Sequence, residues 1–426
     1  MVTRIRSKSP AGARFEGSTR KVFAATWLGW MLDAFDAAIY AYVLVAALTE
    51  LLPASGIEAT PANVGFYGGV LFSIFMLGWA SSVAWGWAAD RYGRVPVLCW
   101  TVVFYSVFTA ASGLATSVVM FAVFRFLTGF GVGGEWAAGT PLLHERVPER
   151  DRVRLAGWLH TAAPTGLFLA AFVALVAGDW LGWRGLFLIG TLPALLVLYI
   201  RRSFPGESRP REARMPFAAL FAADRARTTW AATLMLTVCI FGLWSSNFWA
   251  PTAVVLKLTA AGAAPADAQA LGAVAGLVTN AGTLLACLIM PFFTTLLGSR
   301  RKSALVFFAG SIASVVAAYA LALETVGSIS LFLVLLPLVG FFTNGIFSLF
   351  TIWLPEMFPT ALRGSGAGFA FSFGRLLGAA GPFLIGVTAT ATGSLPLSIA
   401  LFSAIYLVGL PFIALSPETA RRPLSR

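Results

Sequence analysis

Long apolar stretches alternate with short polar segments along the whole chain. Twelve stretches of about 20 residues are apolar enough to cross a hydrocarbon layer of about 30 Å as helices. A backbone in lipid must satisfy its own hydrogen bonds, so we expect helices, and the sequence lacks the alternation of a transmembrane barrel. The predicted spans are residues 22–48, 64–88, 95–115, 117–141, 155–177, 184–202, 228–254, 270–296, 303–323, 328–353, 364–388 and 394–415.

The two halves of the sequence repeat one pattern, Glu-x-x-Pro-x-x-x-Arg, at an offset of 211 residues. Its copies are Glu145, Pro148, Arg152 and Glu356, Pro359, Arg363, and the upstream glycines Gly129, Gly134 and Gly340, Gly345 keep the same offset. A parallel repeat of half an apolar chain is typical of membrane transporters. We therefore predict an N-terminal six-helix bundle with a basic tail (1–202), a cytoplasmic linker (203–227) and a C-terminal six-helix bundle with a short tail (228–426).

Composition supports a membrane protein. The chain has 426 residues, of which 58% are hydrophobic and 11% charged, whereas soluble domains carry about 25% charged residues. The net charge of +12 could suggest nucleic-acid binding, but 26 of the 30 Lys and Arg residues fall on one face of a twelve-helix, N-inside threading. This is the positive-inside rule, and it predicts a multi-pass protein of the cell (inner or plasma) membrane with both termini in the cytoplasm and no nucleic-acid partner.

The sequence gives no sign of a cofactor. Cys99, Cys239 and Cys287 lie within predicted spans and fit neither a disulfide framework nor a metal-ligand spacing. No nucleotide-binding signature or nucleophile constellation is present, and the chain has only two histidines. We expect no cofactor, no metal site and no enzymatic activity.

Three motifs resemble those of a known family. Gly86, Asp90, Arg91, Gly93 and Arg94 in GWAADRYGRVPVL resemble the loop between helices 2 and 3 of the major facilitator superfamily. RFLTGFGVGGE at 125–135 resembles its helix 4 signature, and Pro-Glu-Thr at 417–419 resembles a terminal motif of its sugar and metabolite branches. The resemblance covers the whole chain. It implies an all-α membrane protein with twelve transmembrane helices in two pseudo-symmetric six-helix bundles.

Further phrases point to a branch of that family. GGEW, LPEMFPTALRGSGAGFAFSFGRLLGAAGP and LDAFDAAIY look most like the metabolite:proton, sialate/lactate-type and aromatic-acid:proton symporters. That resemblance implies the inward transport of an organic carboxylate together with protons.

The basic loop after span 2 is a candidate cytoplasmic gate. Asp90 ends the span, where it can lie near the N-terminus of a facing helix, whose dipole favours an anion. Arg91 and Arg94 can pair with acids across the gap between the halves, in one conformation only. In the second-half copy Leu297 and Gly298 stand in place of Asp90 and Arg91, so we expect a weaker or differently made contact there.

The repeated motif supplies the rest of the predicted gate. We expect two pairs, Glu145 with Arg152 and Glu356 with Arg363. The alternative for all these charges is that they set topology and form exposed ion pairs of little energetic value.

Ionisable groups inside the predicted spans indicate function, because burying a charge in a bilayer is costly. Asp33 and Asp36 lie one turn apart in span 1, and span 4 carries Arg125 and Glu135. We assign these four residues to proton coupling, with Asp36 paired with Arg125 as the preferred proton site, since burial and a neighbouring cation act in opposite directions on a carboxyl group. The alternative is an interhelical lock without a proton.

The substrate site is expected around Arg375 in span 11, whose guanidinium suits bidentate binding of a carboxylate. Its alternative role is as a partner for Glu135 or Asp33. Polar and aromatic side chains at similar depth complete the candidate site, although each could instead serve helix packing. They are His160, Thr161, Thr165, Asn247, Trp244, Asn280, Asn344 and Tyr40.

Together these features predict a secondary active transporter that takes up a small organic carboxylate with protons by alternating access. The carboxylate would be an aromatic acid, a short mono- or hydroxycarboxylate or a sialic-acid-like anion. A sugar or polyol:proton symporter, a drug-efflux antiporter and a non-transporting metabolite sensor remain alternatives. We expect the substrate, protons and membrane lipid as partners, and a monomer.

Overall fold

The computed structural model describes residues 10–81, 83–146, 158–192, 194–195, 199, 217–359 and 362–420. Helices form nearly all of the described chain, as the long apolar stretches predict. Ten of the described helical segments are long and apolar enough to span a membrane, and Val118–Gly134 is a shorter apolar segment.

Six helices form the first half of the described chain. They are α1 (Pro10–Ala54), α2 (Pro61–Ser81), α3 (Val83–Tyr92), α4 (Arg94–Ser112), α5 (Val118–Arg146) and α6 (Ala162–Ile189). α1 packs along α6, while α5 packs against both α2 and α4. We call the end at which α1 ends and α2 begins the distal end, and the opposite end the proximal end.

Ten α-helices form the second half of the described chain. They are α7 (Ala226–Ser246), α8 (Trp249–Ala260), α9 (Pro265–Leu297), α10 (Arg300–Val315), α11 (Ile329–Thr343), α12 (Ile346–Met357), α13 (Arg363–Gly378), α14 (Ala380–Thr392), α15 (Leu395–Phe402) and α16 (Ile405–Leu415). A π-helical segment, Val316–Thr325, extends α10. Most of the predicted spans of this half therefore consist of two consecutive helices with a short break between them.

α6 contains most of the predicted span 5 and the start of the predicted span 6, and the chain reverses direction between them at Gly182. This glycine has a positive φ of 61°, a conformation that L side chains rarely adopt. Before the turn α6 follows α1, with Gly166 against the backbone of Met31, and after it Gly190 meets Thr109 of α4. Gly182 therefore returns the chain to the proximal end without a long loop.

A charged cluster fastens the distal end of the first half. Glu50 accepts hydrogen bonds from Arg184 at 2.6 Å and from the indole of Trp183 at 2.7 Å. Arg184 also donates to the carbonyls of Gly113 and Ala115, both at 2.9 Å. The cluster joins the ends of α1 and α4 to the turn of α6, and it gives Arg184 a structural role.

Glycines bring helices of the first half into close contact. A Cβ on Gly78 of α2 would collide with the carbonyl of Phe126 in α5, and one on Gly129 of α5 would collide with the carbonyl of Phe75 in α2. Small residues at helix crossings allow backbones to approach this closely in membranes, where van der Waals packing drives association.

The two halves meet along α2 and the α13–α14 pair, which run antiparallel. At the distal end a Cβ on Gly69 would collide with the carbonyl of Pro382, and one on Gly386 would lie 2.8 Å from the carbonyl oxygen of Gly65. Nearer the middle, the hydroxyl of Ser73 donates to the carbonyl of Ala379 at 2.6 Å. We call these contacts the distal seam.

Candidate functional site

A narrow cavity of about 100 Å³ lies between the two halves. Both halves contribute to its wall. The lining residues are Trp30, Asp33, Ala34, Ala37, Ala38, Ala41, Tyr42, Trp79, Ala163 and Leu167 from the first half, and Leu243, Trp244, Asn247, Phe248, Pro251, Gly276, Thr279, Asn280 and Asn344 from the second.

Aromatic rings form much of the wall. The rings of Trp79 and Trp244 lie 6.4 Å apart between centroids and belong to different halves. Trp244 in turn packs against Phe72 at 5.0 Å, and Phe72 stacks on Phe248 at 4.1 Å. A cavity bounded by such rings suits a flat, partly apolar molecule.

Breaks in the helices bring amide side chains to the cavity. Asn247 lies between α7 and α8, and Asn344 lies between α11 and α12. The Oδ1 atom of Asn247 accepts from the hydroxyl of Thr343 at 3.2 Å. Its Nδ2 atom is buried and has no hydrogen-bond partner among the described residues. Interrupted membrane helices are a common place for polar groups that bind a ligand.

Two charged groups from opposite halves lie near one another, one at the cavity and one beside its wall. Asp33 of α1 lines the cavity and is only 2% exposed. Arg375 of α13 lies close enough for the charge of Asp33 to act on it. The guanidinium of Arg375 also lies over the ring of Trp79, at 4.3 Å from its centroid. Asp33 therefore lies at the cavity, and Arg375 lies beside it, in contact with the lining residue Trp79.

Asp36 lies one turn further along α1 and is fully buried within the first half. It is near Arg125 of α5 and Thr109 of α4. Arg125 is also fully buried, with its guanidinium over the rings of Phe75 at 4.6 Å and Tyr40 at 5.2 Å. Among the described residues, neither the Asp36 carboxylate nor the Arg125 guanidinium has a hydrogen-bond partner. The two groups interact electrostatically but do not form a closed ion pair.

Of the residues predicted for the substrate site, Trp244, Asn247, Asn280 and Asn344 line the cavity. Arg375 lies beside it through its contact with Trp79. His160 is buried next to Trp30, with ring centroids 5.4 Å apart in an edge-to-face arrangement.

Like Arg375 and His160, the remaining three predicted residues lie outside the lining. Thr165 donates to the carbonyl of Thr161 at 2.7 Å, a bond within its own helix. Thr161 accepts from the indole of Trp27 at 3.1 Å. Tyr40 is fully buried among the aromatic rings of the first half, and its hydroxyl donates to the carbonyl of Gly68 at 3.2 Å.

The sequence reasoning did not single out Trp30, Trp79 or Phe248, although all three line the cavity. For Trp79 a signal was present: Phe72, Phe75 and Trp79 have the helical spacing of a single face of α2. That spacing is equally typical of ordinary helix packing, and only the approach of α13 from the other half distinguishes the two.

A polar network joins α10, α12 and the chain after α16 at the proximal end. Glu356 accepts from Nε and Nη2 of Arg300 at 3.2 and 3.1 Å, and from the hydroxyl of Thr419. The partner predicted for Glu356 was Arg363, whose side chain lies outside the described part of the structure. The observed partner, Arg300, belongs to the basic turn after span 8.

The basic turn before α10 has no aspartate at the position equivalent to Asp90. Glu418 provides a carboxylate there instead. It accepts from the hydroxyl of Ser299 and from the backbone amides of Arg300 at 3.0 Å and Arg301 at 3.2 Å, which begin α10. Burial acts to raise the pKa of Glu418, but the hydrogen bonds from Ser299 and from the backbone amides of Arg300, Ala420 and Arg301 outweigh it and lower the pKa to about 2. An anion at a helix N-terminus is a favourable arrangement.

Several predicted gate and coupling residues lie outside the described part of the structure. Arg91 is described and exposed at the proximal end of α3. The residues outside the description are Arg152 and the side chains of Asp90, Arg94, Glu135, Glu145 and Arg363. Among the described residues no group of three or more His, Cys, Asp or Glu side chains could hold a metal ion.

Residues 26–382 match the Major Facilitator Superfamily. The chain belongs to this family, and it is therefore a multi-pass membrane transporter rather than an enzyme. It has the all-α major facilitator fold, with twelve transmembrane helices in two pseudo-symmetric bundles.

Two transporters with named substrates are similar to most of the chain. The chain is 31% identical to a probable 4-methylmuconolactone transporter of Cupriavidus pinatubonensis, over 88% of this chain and 85% of the relative. It is 30% identical to the sialic acid transporter NanX of Escherichia coli, over 86% of each. The crystal structure of a D-xylose-proton symporter superposes with a TM-score of 0.69 at 19% identity, covering 94% of this chain and 98% of that one. At that identity the likeness concerns the fold alone.

Proposed function

We propose that the protein imports a small organic carboxylate together with protons, by alternating access. The single observation that carries this proposal is the placement of two acids on successive turns of α1. Asp33 lies at the central cavity with Arg375, and Asp36 lies inside the first half with Arg125. One acid–arginine pair is thus open to a substrate, and the other is withdrawn from it.

The cavity supports a carboxylate as the substrate. Arg375 is a permanent cation whose planar donors match a carboxylate. The aromatic wall suits a flat ring or an unsaturated chain, and the free Nδ2 of Asn247 is a hydrogen-bond donor for a second polar group. The similar transporters of 4-methylmuconolactone and sialic acid also act on organic acids or their lactones.

The Asp36–Arg125 pair supports proton coupling. A fully buried carboxyl group is held between two opposing influences, desolvation and a nearby cation. A small movement of Arg125 relative to Asp36 would shift that balance, so the carboxyl group could take up a proton in one conformation and release it in the other. Asp33 and Glu135 remain further candidates for this role.

The positive-inside rule places the proximal end in the cytoplasm with both termini, and the bacterial relatives support an inner-membrane location. In that orientation the distal seam closes the outer side of the cavity. Transport would then require the two bundles to rock about the cavity. In the structure the bundles are closed at the distal end. The proximal network would contribute to the inner gate together with Asp90, Arg91, Arg94, Glu145, Arg152 and Arg363.

Counterflow in proteoliposomes tests the substrate class. Proteoliposomes that contain the purified protein would be loaded with one unlabelled compound at a time, and the uptake of its labelled form would be measured. The panel is benzoate, nicotinate, a muconate, lactate, sialic acid and a hexose. We expect exchange with carboxylates and none with the hexose. Arg375→Ala should reduce carboxylate exchange at least tenfold, since bidentate charge-assisted hydrogen bonds are lost.

The panel also separates the alternatives. Exchange of the hexose alone would replace the proposal by sugar symport. Carboxylate exchange that survives Arg375→Ala at full affinity would remove Arg375 from the site while leaving the substrate class intact.

A further inference from the structure

Arg375 has an aromatic partner in each half of the molecule. Its guanidinium carbon lies 5.4 Å from the ring centroid of Phe371, one turn away on α13. It lies closer, at 4.3 Å, to the ring centroid of Trp79 on α2. The nearer contact is therefore made across the interface between the two halves.

The Trp79–Arg375 contact continues the distal seam. Along α2 and the α13–α14 pair, successive partners step in opposite directions: Gly65 with Gly386, Gly69 with Pro382, Ser73 with Ala379, and then Trp79 with Arg375. The first three contacts join small residues and backbone atoms, and the last joins two large side chains at the cavity. The position of Trp79 relative to Arg375 is thus fixed by closure of the seam.

Stacking determines what Arg375 can offer to a ligand. A guanidinium over an aromatic face has one of its flat sides covered and is attracted by the ring. Its N–H groups point outwards in the plane, which is the direction that a carboxylate needs for two parallel hydrogen bonds. Trp79 is itself part of the cavity wall. A ligand in the cavity therefore touches the same indole that carries the guanidinium.

Asp33 makes this support more important. It lines the same cavity and acts electrostatically on Arg375. A flexible arginine could turn fully towards this carboxylate, which would then compete with the substrate. A ring that holds the guanidinium in one orientation limits that movement.

We propose that Trp79 is a positioning residue for carboxylate recognition, which holds the Arg375 guanidinium for the substrate while the distal seam is closed. This inference rests on the proposed transport of a carboxylate. It identifies Trp79 as the residue that makes the site selective for a carboxylate. It predicts that loss of the indole weakens the binding of a carboxylate more than that of its neutral carboxamide.

The test uses two pairs of ligands that differ only in charge, benzoate with benzamide and nicotinate with nicotinamide. Binding to the purified full-length protein is measured by calorimetry, and the affinity ratio of acid to amide is the readout. Trp79→Leu and Trp79→Met should lower this ratio about tenfold, the size of effect that a desolvated cation–π contact can have. Trp79→Phe, which keeps a ring, should lower it less than about threefold.

Trp244→Leu is the matched control. Trp244 lines the same cavity and packs on Trp79 from the other half, so its removal takes away a similar ring without removing the ring beneath Arg375. It should weaken both members of each pair alike and leave the ratio unchanged. Replacement of Trp79 by a tetrafluorinated tryptophan keeps the shape and weakens the attraction to a cation. It should lower the ratio even if the Leu and Met variants do not fold.

The outcomes distinguish this inference from the proposed function. A wild-type protein that does not prefer the acids would overturn the proposed substrate class and this inference with it. A wild-type preference that is unchanged in the Trp79 variants, or with the fluorinated residue, would overturn the role of Trp79 alone. An equal loss of the ratio in Trp244→Leu would do the same, because the effect would then belong to the cavity wall in general.

Discussion

Arg300 donates two hydrogen bonds to Glu356, from Nε at 3.2 Å and from Nη2 at 3.1 Å. The pair joins the start of α10 to the last turn of α12, two helices that the chain connects only through α11. Both side chains are mostly buried, with 15% and 19% of their surface exposed. A bidentate pair in this environment is more favourable than an exposed ion pair.

The first prediction concerns this pair. Arg300→Gln and Glu356→Gln should each lower the stability of the purified protein by about 1–2 kcal/mol, because a partly buried charge loses its partner. The double variant should be little worse than either single one, since both remove the same interaction. Thermal unfolding in detergent measures the effect. Lys302→Gln, at an exposed position on the same helix, is the control and should be neutral; additive losses in the double variant would contradict a direct interaction.

The second prediction follows from the depressed pKa of Glu418, about 2 compared with 4.5 in the unfolded chain. A carboxylate whose pKa is lowered by folding stabilises the folded state above its unfolded pKa, and that contribution is lost as the pH falls through the folded value. Glu418→Gln should therefore lower the Tm by a constant amount between pH 6 and pH 8, and the difference from wild type should shrink below about pH 4.5.

Tm curves of both proteins across this range provide the measurement. Glu324→Gln, at an exposed acid, controls for the loss of one negative charge. A Tm difference for Glu418→Gln that stays constant down to pH 3 would mean that the carboxylate does not act through its charge.

The third prediction tests Asp36 as the proton site. With one proton per carboxylate, a gradient of one pH unit supplies about 1.36 kcal/mol, which corresponds to about tenfold accumulation of substrate. In Asp36→Asn we expect no accumulation above the external concentration, while counterflow at equal pH continues. Both are measured with labelled substrate in proteoliposomes.

The control for Asp36→Asn is Asp179→Asn, which removes an exposed acid of the first half and should still accumulate substrate. Full accumulation by Asp36→Asn would exclude this carboxyl group and make Asp33→Asn the next variant to measure. Loss of counterflow together with accumulation would indicate a structural lock rather than a proton site.

The fourth prediction concerns the distal seam and compares two glycines one turn apart on α2. A Cβ on Gly69 would collide with the backbone of Pro382, whereas a Cβ on Gly65 would meet no atom within 4 Å. Gly69→Ala should hold the distal ends of the halves apart and reduce counterflow severalfold. Gly65→Ala should transport at close to the wild-type rate.

A cysteine at the seam reports its opening directly. In the Ser73→Cys background, Gly69→Ala should increase labelling by an impermeant maleimide from the distal side, and Gly65→Ala should not. The three native cysteines are buried, so background labelling should be low. Equal labelling in all three proteins would show that Gly69 does not control closure of the seam.

The sequence predicted the helices better than their ends. Spans 5 and 6 were expected as separate crossings, and the positive φ of Gly182 provides the reversal between them. The break at Asn247 was not expected, because Trp244–Trp249 is apolar enough on both sides to look continuous. Apolar length predicts that a segment crosses the membrane, but it contains little information about where a helix is interrupted inside the protein.

The position of a charged residue within a membrane span was easier to predict than the residue with which it pairs. Asp33, Asp36, Arg125 and Arg375 were recognised because a charge in an apolar stretch is costly and rare. Glu418 as the cap of α10 was not predicted, since 119 residues of chain separate it from Ser299. Nothing in the local sequence around either residue indicates that they meet.

The order of apolar and polar segments, the placement of the cations and the repeat at 211 residues indicated the architecture of this protein without any coordinates, and the resemblance of its motifs indicated the family. These are properties read along the chain, and the bilayer imposes them on each segment independently. The tertiary structure alone decided which face of α1 carries each acid, that Arg300 meets Glu356, and that Trp79 supports a cation from the other half. Such pairings depend on how helices distant in sequence pack against one another, and a hydropathy pattern is the same for many such packings.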